Sequence, residues 1–404
     1  MNRTELLEHL RERAQRALSK AAPFGPDIDI TQFVKSSPLA SVRLADALAS
    51  AKSVGVNPES ARISALYYQI DSRIEILRSL LKGVDIEPLD RALEERFDEV
   101  KQFFWRAVPV DLDKYTAITF LKGIGGYFIR VKRGTVAELP IQTCFFMSGG
   151  AQLVHNIVVV EENAKAVIVT GCTIMPEALG LHVGITEIYL ERGAQLIDVM
   201  IHSWNRTTHV RPRTGVVVKD GATYVSYYIN MSTTKTLQTR PTITLVGEGA
   251  RTYSASILLG LADSHHDVGS HVIARGRSSR AELVSKIVAR DSSRIVSRLR
   301  IDAEAEHVKG FTECSAVLLS DQASVETVPE LYSKSSTAEL HHEASIGKLR
   351  DEEIEYLVLK GFSPREAISI LIRGFINVDL SFLTPEIRKS IEKVLDTLAE
   401  RGVS

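Results

Sequence analysis

Gly215-Val216-Val217-Val218-Lys219-Asp220-Gly221-Ala222 is the stretch that decides the fold of this chain. A run of β-branched residues, typical of a buried strand, leads into a turn that ends in a Gly-Ala pair. The same pair occurs 28 residues earlier, at Gly193-Ala194, and 28 residues later, at Gly249-Ala250. Asn163-Ala164 and Arg280-Ala281 keep this spacing to within a few residues. Units that repeat in this way cannot bury their own apolar faces, so the pattern predicts stacked β units with a period near 28 residues.

Short strand patterns fill the segments between these turns. A β-sandwich with evenly spaced hairpins would give a similar pattern. The spacing nevertheless holds over about 230 residues, which is too long for one sandwich, and we therefore favour a right-handed parallel β-helix. The clearest predicted strands are Tyr127–Val131, Ile157–Val160, Ala166–Val169, Gly215–Val218, Thr242–Val246 and Glu282–Val284.

Helical spacing of apolar residues characterises the chain before the first predicted strand. It predicts helices over Leu6–Leu18, Leu66–Leu81 and Leu89–Phe104. Ser37-Pro38 predicts a further helix start, because Pro is favoured at the first helical position. We therefore predict an N-terminal helical domain over residues 1–108, with no catalytic group in it.

The pattern returns to helix after Leu349. Asp351 and Gly361 are suited to begin and end one helix, and Ser363-Pro364-Arg365-Glu366 is a capping box that begins the next. A final helix is predicted over Pro385–Ala399. The β-helix core domain should therefore span residues 109–349 and a C-terminal helical domain residues 350–404. The pattern leaves open whether this tail docks on its own scaffold or binds a partner.

The composition excludes several classes of function. Lys and Arg number 49 and Asp and Glu 50 in the 404 residues, so charge gives no reason to expect nucleic acid as the partner. The N-terminus lacks the apolar core of a secretory signal, and no apolar run approaches the length of about 18 residues that a membrane span needs. The expectation is a cytoplasmic protein whose three cysteines are thiols, ligands or packed core groups.

Common catalytic signatures are absent from the sequence. It contains no P-loop, no His-Glu-x-x-His, no Gly-x-Ser-x-Gly and no Cys-x-x-Cys motif. A β-helix enzyme acting on polysaccharide would need clustered carboxylates, and the strands between residues 215 and 300 carry none. The chain is therefore not expected to be a self-contained enzyme.

Cys314, His342 and Glu343 are the strongest candidate ligands, with His341 beside them. Thiolate, imidazole and carboxylate are the groups that hold iron or zinc. A lone strand cysteine is more often a packed apolar residue, however. On a strand, His341 and Glu343 share one face and His342 the other, so one chain offers an incomplete set. A site completed by another subunit fits this pattern better.

Two further groups of candidate ligands have ordinary structural explanations. His265-His266-Asp267 and His271 could hold a metal, but polar loops of this composition are common, and the sequence leaves their role open. Cys144 and Cys172 each stand alone in a strand pattern, where packing is the usual role.

Taken together, the motifs resemble those of the SufB/SufD family, the β-helical scaffold proteins of iron–sulfur cluster assembly. The resemblance covers residues from about 108 to 376. The segments that carry it are Gly125-Gly126-Tyr127-Phe128-Ile129, Leu139-Pro140-Ile141-Gln142, Gly171-Cys172-Thr173, Ser203-Trp204-Asn205, Phe311-Thr312-Glu313-Cys314, His342-Glu343-Ala344 and Gly374-Phe375-Ile376.

The resemblance implies a scaffold function. Cys172 would accept sulfur from a cysteine desulfurase by way of a sulfur carrier, and the sulfur would travel through the β-helix. Cys314, His342 and Glu343, with His341, would hold a transient iron–sulfur cluster of iron and sulfide. The β-helix would pair with a SufB/SufD paralogue or an identical chain, and reduced flavin takes part in some complexes of the family.

The resemblance also implies an ABC-type ATPase partner, SufC, which docks on the C-terminal helical domain through residues such as Tyr356, Gly374 and Phe375. Two features depart from SufB: His341 stands where SufB usually has Glu, and Ala323 replaces a second cysteine. The N-terminal helices are closer to those of SufD. Cys172, Cys314 and the His-Glu-Ala motif favour a SufB-like role, and a SufD-like structural subunit is the alternative.

Overall fold

The computed structural model describes residues 2–34 and 42–403. The helices of these residues are α1 (Arg3–Ala17), α2 (Thr31–Val34), α3 (Leu44–Ser53), α4 (Leu89–Glu95), α5 (Phe97–Val100), α6 (Lys114–Lys122), α7 (Asp351–Leu359), α8 (Pro364–Phe375) and α9 (Pro385–Gly402). The strands are β1 (Ala65–Ile70), β2 (Arg73–Ser79), β3 (Val84–Pro88), β4 (Tyr127–Val131), β5 (Ile141–Met147), β6 (Gly150–Val160), β7 (Lys165–Ile174), β8 (Gly180–Leu190), β9 (Gln195–Ser203), β10 (Thr208–Val210), β11 (Arg213–Val218), β12 (Thr223–Asn230), β13 (Thr236–Thr239), β14 (Thr242–Leu245), β15 (Arg251–Gly260), β16 (His265–Ala274), β17 (Arg280–Ala289), β18 (Arg294–Ala303), β19 (Lys309–Leu318), β20 (Ser324–Ser333) and β21 (Glu339–Gly347).

The strands form two mainly parallel sheets that enclose one apolar interior. Sheet one has the order β2-β1-β5-β7-β9-β12-β15-β17-β19-β21, and sheet two runs β10-β13-β16-β14-β11-β8-β6-β4-β3, with β18 and β20 continuing from β16. Each strand pairs with its equivalent one turn later: Gln195 with Thr223, Thr223 with Arg251, and Arg251 with Arg280. This is a parallel β-solenoid of about eight turns, which confirms the predicted fold class and excludes the sandwich.

The Gly-Ala pairs form the turns of the solenoid, as predicted. Gly193, Gly221 and Gly249 have φ angles of 67°, 62° and 66°, in the left-handed region that glycine adopts without steric cost. Asn163, which takes the equivalent place one turn earlier, has φ 59°. The alanine after each of these residues is fully buried in the interior, where only a small side chain follows the turn.

The helix predicted over Leu66–Leu81 is wrong. This segment forms β1 and β2, and β1 pairs in parallel with β5 as a strand of sheet one. All six residues of β1 are buried, because one side faces the solenoid interior and the other lies under α3. A short run that is apolar on both sides cannot be distinguished from a buried helix by periodicity alone.

The other N-terminal predictions fare better. The first predicted helix is present as α1, which is capped by Asn2. The pattern over Leu89–Phe104 forms two short helices, α4 and α5, instead of one. The helix start predicted at Ser37-Pro38 lies outside the described residues. The domain limits at residues 108 and 349 stay predictions.

The C-terminal helices begin where the sequence predicts. Ser363 and Glu366 form the capping box of α8, and α7 and α9 begin at Asp351 and Pro385. The apolar faces of α8 and α9 pack on the outer face of sheet one. In contrast, α7 buries none of its residues. Part of the tail therefore docks on its own scaffold, and α7 remains open.

Among the residues that the structure describes, no helix combines the length and the apolar character required to cross a membrane.

Candidate functional site

Cys172 lies inside the solenoid. It is 1% exposed and belongs to the interior apolar cluster, with Phe145 and His202 as its ladder neighbours on β5 and β9. Burial raises the pKa of its thiol. Cys144 instead points outward and packs beneath α3 with residues such as Val54, as expected for a core cysteine. Cys172 is therefore the only one of these two thiols that faces the interior.

Cys314 also faces the interior, five strands further along sheet one. It is 4% exposed and is the ladder neighbour of Ser285. Burial raises the pKa of its thiol, and hydrogen bonds with the hydroxyls of Ser297 and Ser285 partly offset this effect. The environment of Cys314 is therefore more polar than that of Cys172.

A polar lane of inward side chains begins beside Cys172. His202 follows it on the ladder, and the Tyr228 hydroxyl lies 2.8 Å from His202 Nδ1. Burial and the neighbouring His182 hold the pKa of His202 well below its usual value, so its imidazole is neutral at neutral pH. A neutral imidazole and a hydroxyl can exchange hydrogen bonds without placing a charge in the interior.

The same lane continues to Cys314. Tyr228, Ser256, Ser285 and Cys314 occupy consecutive rungs of sheet one. The Ser256 and Ser285 hydroxyls are 3.2 Å apart, and Ser297 from sheet two lies 3.2 Å from Ser285. We call His202, Tyr228, Ser256, Ser285 and Ser297 the polar lane. Sequence reasoning missed it, because a serine or tyrosine in an alternating strand does not reveal which face it takes.

The predicted ligands on β21 divide between the two faces of sheet one. His342 is the neighbour of Thr312, so it shares the inward face with Cys314 at the end of the solenoid. His341 and Glu343 align with Phe311 and Glu313 on the outer face, as the sequence alternation predicts. Within the described ranges, no three His, Cys, Asp or Glu side chains are grouped so that they could hold a metal ion. The chain alone brings Cys314 and His342 to one face and leaves Glu343 and His341 on the other.

The second histidine-rich run is divided in the same way. His266 is buried and its Nε2 lies 3.2 Å from the Thr234 carbonyl oxygen. Asp267 forms an ion pair with Arg298 on the outer face, and His271 Nε2 lies 2.9 Å from Asp302. These side chains have separate partners, which supports the structural explanation of this run.

The predicted partner-binding residues differ in exposure. Tyr356 on α7 is 59% exposed, and Gly374 faces open space. Phe375 is half-buried against sheet one, where the Lys286 ammonium lies 5.7 Å from its ring centre. Of the three, only Phe375 already has a contact with the scaffold, and Tyr356 and Gly374 remain accessible.

Comparison with known proteins identifies the family. The family model described as SUF system FeS cluster assembly, SufBD core domain, matches residues 145–375, more than half of the chain. An iron-sulfur cluster assembly SufBD family protein of Methanothermobacter thermautotrophicus is 38% identical over 405 residues, covering 97% of this chain and 98% of the relative. The chain belongs to the SufBD family.

Other relatives of this SufBD family chain extend the comparison. A SufBD family protein of Archaeoglobus fulgidus is 36% identical over 353 residues, covering 87% of this chain and 95% of that protein. The iron-sulfur cluster assembly protein SufB of Bacillus subtilis is 26% identical over 300 residues, covering 73% of this chain and 64% of that protein. The resemblance drawn from the motifs is thereby confirmed, and the matched segment of the SufBD chain runs from β5 to α8.

Proposed function

We propose that this SufBD chain is a cytoplasmic scaffold subunit of an iron–sulfur cluster assembly complex. Cys172 accepts sulfur, and Cys314 with His342, Glu343 and His341 holds a transient cluster, which is the cargo of the complex. The observation that carries the proposal is the polar lane, which links the two inward thiols through an otherwise apolar interior.

Sulfur acceptance follows from ordinary persulfide chemistry. The Cys172 sulfur attacks the outer sulfur of a persulfide on a cysteine desulfurase or sulfur carrier. The donor's S–S bond breaks, and its sulfur leaves as a thiol with the proton that Cys172 gives up. Because burial raises the pKa of Cys172, its thiolate forms only when the donor opens this part of the interior or a base takes the proton.

The cluster site requires a second chain. β21 is the last strand of sheet one and, apart from Leu340, its residues are exposed. An unpaired parallel edge is a ready surface for strand pairing, and a two-fold contact there would bring further ligands to Cys314 and His342. The partner in this proposal is a SufB/SufD paralogue or an identical chain. Carboxylate and imidazole ligands suit a cluster that must be released.

The ATPase partner, a SufC-like ABC protein, is proposed to dock on α7. This helix buries nothing against the chain, and its apolar side chains Tyr356, Leu359 and Phe362 are exposed together. Gly374 and the free side of Phe375 would complete the surface. We assign no residue of this chain to reduced flavin, whose participation stays an expectation.

The alternative is a SufD-like structural subunit that pairs with a SufB scaffold without holding the cluster. The division of the β21 ligands between two faces favours this alternative, since the described part of one chain lacks a complete set. In that case the cysteines are packing groups and only the ATPase-docking tail matters.

Anaerobic reconstitution tests the two functions. Wild type, Cys314→Ala and the control Cys144→Ala are each incubated with the ATPase subunit, iron and sulfide, and cluster content is measured by visible absorption and metal analysis. The scaffold function predicts cluster in wild type and in Cys144→Ala, and none in Cys314→Ala. Equal cluster content in all three would contradict the site, and its absence from all three would favour the SufD-like subunit.

A further inference from the structure

An internal cavity of about 40 Å³ lies between the two sheets. It adjoins the polar lane at Tyr228 and Ser256, and residues from both sheets contribute polar groups to it. A cavity of this size can hold a water molecule or another species with one or two heavy atoms. Its lining consists of Asp198, Met200, Pro212, Thr214, Tyr224, Ser226, Tyr228, Thr239, Pro241, Ser254, Ser256, Val268, Gly269 and Ser270.

Asp198 is the one carboxylate in this lining. Its Oδ2 accepts a hydrogen bond of 3.1 Å from the Tyr224 hydroxyl, and no Lys or Arg lines the cavity. The titratable groups that face it from the packed strands are Tyr127 on β4 and Tyr224 and Tyr228 on β12. Burial raises the pKa of Asp198 to about 6. An unpaired interior carboxyl is costly, and packing alone would favour an apolar residue at this position.

The distance between the two inward thiols restricts how sulfur can move. Cys172 and Cys314 lie five strands apart, which at about 4.8 Å per strand is roughly 24 Å. The chain has three cysteines, and Cys144, the third, points away from the interior. Sulfur therefore cannot pass from thiol to thiol within the chain. If it travels between these residues, as the proposed function requires, it travels unattached.

We propose that the cavity binds this sulfur as hydrosulfide and that Asp198 exchanges a proton with it. The proposal rests on the proposed function. The persulfide of Cys172 takes up two electrons and two protons from a dithiol, its S–S bond breaks, and a thiol and hydrosulfide result. In the cavity the Asp198 carboxyl gives its proton to hydrosulfide, so that an O–H bond breaks, an S–H bond forms and neutral hydrogen sulfide results. The carboxylate takes the proton back when the sulfur leaves.

The physical reason for such a group is the cost of an anion in an apolar interior. Hydrosulfide that passes between the sheets without a cation must lose most of its hydration. A carboxyl that exchanges protons near neutral pH removes this charge for the passage. Serine and tyrosine hydroxyls around the cavity, such as Ser256 and Tyr228, can accept and donate hydrogen bonds to either form.

The test follows labelled sulfur through the intact complex. Cys172 is loaded with ³⁵S from a desulfurase and its carrier, and the release of acid-labile sulfide into the cluster is timed after iron and a dithiol are added, between about pH 5.5 and 8. Wild type should slow as the pH rises through about 6, since Asp198 loses its proton there. Asp198→Asn should load normally, transfer about tenfold more slowly and lose this pH dependence.

Two further variants separate proton exchange from packing. Tyr224→Phe removes the hydrogen bond that lowers the pKa of Asp198, so the midpoint of the profile should move to higher pH. Asp302→Asn, a control on the outer face, should leave the profile unchanged. This pair of variants also decides the question if Asp198→Asn does not fold.

The outcomes distinguish the two levels of argument. A wild-type rate and profile in both Asp198→Asn and Tyr224→Phe would overturn the role of Asp198, while the proposed function stands. Failure of wild-type Cys172 to take up ³⁵S would overturn the proposed function itself.

Discussion

At the scale of single residues, Glu187 is the side chain on which the N-terminal packing most depends. It is fully buried and accepts hydrogen bonds of 2.6 Å from the backbone N–H groups of Trp105, Arg106 and Ala107. Its other contact is His155 Nε2 at 2.9 Å. Trp105 has a φ of 55°, so this loop adopts a conformation that the carboxylate holds in place.

Glu187→Gln should therefore lower the free energy of unfolding by about 2–4 kcal/mol, because one amide oxygen replaces two charged acceptors and leaves buried donors unpaired. Urea unfolding followed by circular dichroism measures this change. Glu191→Gln, which removes only a surface ion pair with Lys219, is the control and should change stability by less than about 1 kcal/mol. Equal effects of the two substitutions would contradict this account of the loop.

Asp198 gives a second prediction at this scale. Its pKa rises from an ordinary value of 3.8 to about 6 on folding, so the folded state binds the proton more tightly than the unfolded chain. Wild-type stability should therefore fall relative to Asp198→Asn as the pH rises from about 4 through 6, by about 2–3 kcal/mol in total. Unfolding free energies of both proteins at about pH 4 and pH 7.5 measure the difference. A difference that does not depend on pH would show that Asp198 titrates normally.

At the scale of elements, local signals decided which predictions succeeded. The start of α8 was predictable because Ser363 and Glu366 satisfy each other's backbone groups whatever the rest of the chain does. β1 was not, since the burial of both its sides depends on β5 and α3, which come later or pack from elsewhere. The turns at Gly193 and Gly221 were predictable because their φ angles require glycine.

The open face of α7 is the element with the clearest external role. Leu359 is 86% exposed on a helix that buries nothing, so Leu359→Asp should leave the melting temperature unchanged and weaken ATPase binding at least about tenfold. Isothermal titration calorimetry with the ATPase subunit measures the affinity. Leu80→Asp, at an exposed leucine far along the chain, should bind as wild type does. Unchanged affinity in the Leu359 variant would move the docking surface away from α7.

At the scale of the whole molecule, the solenoid explains why the site was only partly predictable. The thiols Cys172 and Cys314 were recognisable from motifs, and the alternation of His341, His342 and Glu343 followed from strand geometry. The polar lane and Asp198 were not recognisable, because a continuous lane exists only when the 28- to 30-residue register of successive turns aligns particular rungs. A shift of one residue in any turn would move those side chains to the outer face.

The same architecture makes the exposed end at β21 a testable interface. If two identical chains pair edge to edge there, residues near the two-fold axis meet their own copies, so an exposed residue such as Ser345 becomes a reporter. Ser345→Cys should form a covalent dimer under mild oxidation, detected by non-reducing electrophoresis. Ser390→Cys, on the exposed side of α9, should not. A dimer with both substitutions would indicate random collision. None with Ser345→Cys alone, but one after a paralogue with a matching cysteine is added, would assign this end to a heterodimer, in which the partner supplies the ligands that this chain lacks.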